Sequence, residues 1–164
     1  MGTTHRTWLG WLPAAVWMAL IFIGSTDLLA DNHTSRFIGP FLHWLIPGIS
    51  EAAVDQVRFA IRKCAHMGEY AVLAYLVASA RFRGFNPRCW RWSWQAAGKA
   101  LLVCAVYALS DEWHQSFTPS RQATLRDVGF DTLGALAMLA VLWAWNRRFP
   151  AARHSLAAAE PTTG

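Results

Sequence analysis

Three short strings hold most of the residues that could do chemistry. The first is Arg62-Lys63-Cys64-Ala65-His66-Met67-Gly68-Glu69-Tyr70. At 100° per residue, Arg62, Lys63, His66, Glu69 and Tyr70 fall within an arc of about 120°, so all five are expected to project to one side of a helix. The second string is Asp111-Glu112-Trp113-His114-Gln115; Tyr107, Asp111 and Gln115 follow i, i+4, i+8 on one face, with Glu112 flanking. The third runs from Arg121 through Arg126-Asp127 to Asp131, Gly134 and Met138. Asp127 and Asp131 are one turn apart and co-facial, which sets Asp131 about 6 Å further along the helix. Together these residues could bind an anion and move a proton. Arg62, Lys63 and Arg121 suit phosphate or carboxylate. Glu112 or Glu69 suits an acid or base, His66 a shuttle, and Asp127 and Asp131 the orientation of cationic groups.

More specific chemistries fit less well. His66-x-x-Glu69 and Glu112-x-x-Gln115 are like half of a bundle carboxylate site, but paired Glu-x-x-His motifs are missing, so no metal or cofactor is expected. Ser120-Arg121 is a pair of the kind lipid phosphatases use, without a suitably spaced His/Asp partner downstream. Ser116 and Ser120 lack a nucleophile-elbow context. No residue is therefore assigned as catalytic. Cys64, Cys89 and Cys104 have no zinc spacing and suit apolar packing. His43 and His114 are expected at an interface.

The elements that must position these strings are long and apolar. The chain has 164 residues, 54% hydrophobic and only 15% charged, against about 25% charged in an ordinary soluble domain. Its mean hydropathy is +0.21 and its pI about 9.6. The expected fold is an all-α integral membrane protein with four transmembrane helices in a small bundle, spanning about 8–25, 64–80, 97–112 and 127–145. Residues 1–7 form a short N-terminal segment and 146–164 a disordered tail. The first run, Trp8–Gly24, reads as a retained anchor helix more than a cleaved signal, being long for a signal core. FIGPFLHWLIP (37–47) is too short to span and suits an interfacial or re-entrant segment in the first outer loop. Ser50 is a helix N-cap with Glu51 in the first turn. Most of the ten tryptophans lie at the ends of apolar runs, as an aromatic belt would.

Charge placement sets the orientation and excludes nucleic acid as a partner. Basic residues sit between apolar runs and not along one polar face. Arg6, the connector Arg81–Lys99 and Arg147, Arg148 and Arg153 fall on one side; Arg36, Arg58, Arg62, Lys63, Arg121 and Arg126 fall on the other. The richer side is cytoplasmic by the positive-inside rule, so both termini are expected inside the plasma membrane and the polar strings outside. A carboxylate within a span costs about 2.5–3.5 kcal/mol on insertion scales, so Glu69 and Asp131 are expected to face the bundle interior and find partners.

In order, spacing and hydrophobic context, Arg62-Lys63-x-x-His66-x-x-Glu69-Tyr70-x-x-Leu73, Asp111-Glu112-x-x-Gln115-x-Phe117-x-Pro119-x-Arg121 and Asp127-x-x-x-Asp131-Thr132-x-Gly134 resemble the VanZ-like membrane protein family. Ser25-Thr26 at the end of the first run is similar too. The chain departs at Ser120, where a glycine is common, and in its Trp/Arg-rich connector. The resemblance covers roughly residues 11–145 and implies a four-helix membrane protein with a link to the cell envelope, since the family is named for a member associated with low-level glycopeptide resistance. It supplies no reaction. Three functions follow as expectations. One is a site that binds or acts on an envelope lipid headgroup or cell-wall-related ligand. Another is a non-enzymatic scaffold for an envelope enzyme, with buried charges fixing helix packing. The third, a small transporter, is disfavoured by the lack of an inverted repeat.

Overall fold

The computed structural model describes residues 8–25, 32–82, 92–117 and 124–149. Among these, every regular element is helical. A 3₁₀ turn at Trp8–Trp11 leads into α1, Leu12–Gly24; α2 covers Asn32–Leu45, α3 Glu51–Phe82, α4 Trp94–Gln115 and α5 Leu125–Arg148. The expected N-terminal segment 1–7, the loop 118–123 with Arg121, and the tail from 150 onward lie outside the described residues.

Local chemistry explains the helix boundaries. Gly48 adopts φ +93°, a conformation that closes the turn after α2. Ser50 then accepts a hydrogen bond from the Ala53 amide at 3.3 Å and starts α3. Ser93 does the same for α4 through Ala96 at 3.3 Å, so that helix begins at Trp94, inside what the sequence alone assigns to a connector. The segment expected to be interfacial or re-entrant belongs to α2, a helix of 14 residues. It is tied to α3 by His43 and Glu51, 3.0 Å apart.

The helices place small residues inside and large apolar ones outside. Tyr70, Leu73, Ala74, Val77 and Ala78 of α3 meet Ala97, Ala100, Cys104 and Ala108 of α4 and Ala135, Leu139 and Leu142 of α5 in one core. Meanwhile Leu12, Val16, Leu20 and Ile23 of α1, Leu102, Val106 and Leu109 of α4, and Leu133, Leu136 and Val141 of α5 are exposed. Water-soluble domains rarely expose so much contiguous apolar surface. Small interior residues are what helices use where no hydrophobic drive pulls them together. Taken by length and apolarity alone, α5 is the one described helix that qualifies as a membrane span, while Leu9–Gly24 is apolar but shorter.

α3 and α5 approach each other closely at Gly134. A Cβ at Gly134 would collide with the Met67 carbonyl oxygen and stand 2.7 Å from Met67 Cα. Only a residue without a side chain fits there. This crossing lies beside Lys63, His66 and Tyr70 on one helix and Asp131 on the other, so it sets the spacing of the polar residues described next.

Candidate functional site

The C-terminal ends of α1 and α4, the N-terminal end of α5 and the middle of α3 bring the polar residues to one end of the bundle. Asp111 is central. Its Oδ2 accepts hydrogen bonds from Ser25 Oγ and Gln115 Nε2, both at 2.9 Å. Ser25 comes from 86 residues away and ends α1, so one carboxylate oxygen joins the first and fourth helices. Asp111 Oδ1 has no partner among the described residues, although the residue is only 2% exposed.

Lys63 of α3 donates to Asp127 Oδ1 of α5 at 2.5 Å. Its ammonium also lies 5.2 Å from the Phe59 ring centre and 5.8 Å from that of Phe130, so ring faces and a carboxylate replace its hydration. Glu112 Oε1 accepts the Thr124 amide at 2.5 Å, placing a negative charge at the N-terminus of α5, where the helix dipole favours one. Further ties hold α1 in place. Tyr107 donates to the Met18 carbonyl at 2.5 Å, and Trp17 Nε1 to the Glu69 carbonyl at 2.9 Å.

The arc on α3 does not face one way. Lys63 and Tyr70 are buried, His66 and Glu69 are half-buried, and Arg62 is exposed. The arc crosses the rim of the bundle: its Lys63 edge faces α5, while Arg62 turns outward with its guanidinium 5.7 Å from the Phe59 ring centre. His66 Nδ1 and Glu69 Oε2 are 3.5 Å apart at that rim. Arg121 cannot be placed, since it lies outside the described residues. Among the described residues, then, Lys63, His66, Glu69, Tyr70, Asp111, Glu112, Gln115, Asp127 and Asp131 converge and Arg62 stands off.

At this end of the bundle Tyr70 Oη, Asp111 Oδ1 and His114 Nδ1 are buried without a hydrogen-bond partner among the described residues. The Tyr70 hydroxyl is unpartnered in a residue with 0% exposure, and it lies within electrostatic reach of Asp111 and Asp131. Asp131, 5% exposed, lies within electrostatic reach of Asp111, Glu112, Asp127 and Glu69. Among the described residues, four acids of α4 and α5 thus gather near one ammonium, which Asp127 holds, with His66 and His114 within electrostatic reach of Asp111.

Ser25, Tyr107 and Thr124 complete the site: the sequence sets Tyr107 on the Asp111 face and Ser25 at the end of the first run, without assigning either a role, and does not single out Thr124. For Ser25 a signal existed, since it closes an apolar run at the same end of the bundle. No group of three or more His, Cys, Asp and Glu side chains among the described residues is arranged to hold a metal ion. The polar end therefore offers fixed carboxylates and hydroxyls at a helix junction, a recognition chemistry for a group that brings its own donors or charge. In comparison with known proteins, a family model described as VanZ/LLP1 matches residues 10–146. No curated protein and no solved structure matches the chain.

Proposed function

The chain belongs to the VanZ/LLP1 family, and from that premise we propose that it is a four-span protein of the plasma membrane whose outward polar end binds an envelope lipid or cell-wall-related ligand. Helices α1, α3, α4 and α5 are the spans and both termini are cytoplasmic. Along α5, Asp127 and Arg147 are separated by about 30 Å, the thickness of a hydrocarbon core. The exposed Phe37, Phe41 and Trp44 of α2, at i, i+4 and i+7, suit a helix lying in the outer headgroup layer. At the opposite end of the bundle, Phe82, Trp92, Trp94 and Trp143 form a chain of ring contacts. Arg147 lies 5.0 Å from the Trp143 ring centre. This pattern fits an inner interface.

The observation that carries the ligand reading is the buried polar atoms without partners. Residues kept only to fix helix packing are expected to satisfy one another, because an unmatched polar group costs stability. The Lys63–Asp127 and Glu112–Thr124 contacts do satisfy that expectation and favour the second reading, a scaffold, for those residues. Tyr70 Oη and Asp111 Oδ1 do not. The test is to purify the protein in mild detergent and identify co-purifying lipids and cell-wall precursors by mass spectrometry. The expected result is one species enriched to near-stoichiometric amount and lost in Asp131→Asn. Bulk membrane lipid in equal amount from both proteins would overturn the reading.

A further inference from the structure

Three buried oxygen-bearing side chains meet in the site, contributed by three different helices. They are Tyr70 on α3, Asp111 on α4 and Asp131 on α5, each at least nine-tenths buried; Tyr70 Oη and Asp111 Oδ1 have no hydrogen-bond partner among the described residues. Acids lie within electrostatic reach of Asp131, His66 and His114 within reach of Asp111, and the one buried Lys or Arg among the described residues, Lys63, is held by Asp127. Phosphate and carboxylate are therefore poor occupants of this depth: they would add negative charge and bring no donors. A compact cation with several N–H groups matches both deficits. An ammonium has three donors and no acceptor.

We infer that this Tyr70–Asp111–Asp131 centre binds a primary ammonium group, each N–H of which donates to one of the three residues. The inference rests on the ligand reading above and narrows it to a chemical class. A related contact already exists one turn away along α5, where the Lys63 ammonium of α3 meets the Asp127 carboxylate. Quaternary ammonium is excluded by the same count. It has no N–H to donate, and recognition of such groups relies on aromatic cages, whereas here the groups in need of partners are oxygens. The ammonium could reach the site on a lipid headgroup or as a free amine.

Native mass spectrometry of the full chain, from micelles holding equal amounts of phosphatidylethanolamine and phosphatidylcholine with matched acyl chains, tests this directly. The two lipids differ only in whether the amine carries hydrogens. The expected result is a tenfold or greater preference for the ethanolamine lipid, lost in Asp111→Asn/Asp131→Asn and reduced in Tyr70→Phe, which removes one acceptor and keeps the ring packed. A parallel titration with methylammonium chloride distinguishes the source. Saturable stabilisation by methylammonium without a lipid preference assigns the centre to a free amine. Retention of both lipids alike, without any response to methylammonium, overturns the ammonium assignment and leaves a lipid site standing. Retention of neither lipid and no amine response overturns both. A preference for the ethanolamine lipid that persists unchanged in the double variant also refutes the assignment to this centre.

Discussion

Replacing either member of the Lys63–Asp127 pair is expected to destabilise the protein, and unequally. At 2.5 Å, the attraction of opposite unit charges is about 7 kcal/mol at an effective dielectric of 20. Most of that offsets desolvation, and hydrogen bonds to charged groups retain about 1.5–3 kcal/mol net. The side chains of Lys63 and Asp127 are 11% and 27% exposed, so both feel a reduced dielectric, and Lys63 more so. Lys63→Met removes the one buried Lys or Arg among the described residues and takes a positive charge away from Asp127 and Glu112. It should cost about 3–4 kcal/mol, in the range for breaking a buried pair. Asp127→Asn should cost less, about 1–2 kcal/mol, because Glu112 is also within electrostatic reach of Lys63. Thermal unfolding in detergent, followed by tryptophan fluorescence, should show the Lys63→Met midpoint lowered by roughly 6–12 °C. The double variant should be more stable than the sum of the two losses implies. Strictly additive losses, or a larger loss in Asp127→Asn, would refute this reasoning.

Other substitutions probe the fold and its orientation. Gly134→Ala should cost at least about 2–3 kcal/mol and broaden the gel-filtration peak, because the new Cβ meets the Met67 backbone; Gly129→Ala, which meets nothing within 4 Å, should be neutral or slightly stabilising. Ser25→Ala removes one of the two donors to Asp111 Oδ2 and should lower stability by about 1–2 kcal/mol, measured by the same unfolding assay. In a background lacking the native cysteines, Ser50→Cys should react with a membrane-impermeant maleimide on intact cells, and Phe149→Cys only after permeabilisation. The reverse pattern would invert the topology.

Helical periodicity made much of this legible in the residues themselves. Ser50 before Glu51 marks the start of α3, and the spacing of Asp127, Asp131 and Gly134 defines one stripe on α5. The family resemblance carried by those strings is borne out by the match over residues 10–146. Periodicity assigns a residue to a face but does not say what stands opposite. That is why Lys63, a candidate anion binder in the sequence, is held by Asp127, 64 residues away. It is also why Arg62, one residue from Lys63, turns outward: a step of 100° at the rim of a bundle separates interior from surface. The role of Ser25 was missed for a similar reason, since it exists only once α1 and α4 are side by side. The tight crossing at Gly134 depends on Met67 presenting bare backbone there, which no single-helix pattern encodes.

The central claim is that Asp131 is kept for a ligand and not for the fold. The two alternatives predict opposite signs for one measurement: the unfolding temperature of delipidated Asp131→Asn against delipidated wild type. A buried carboxylate within electrostatic reach of other acids costs stability in the empty protein. Removing its charge should therefore raise the midpoint, by about 1–2 kcal/mol in stability. A fall comparable to that of Lys63→Met would mean that Asp131 holds the helices together, and would contradict the account.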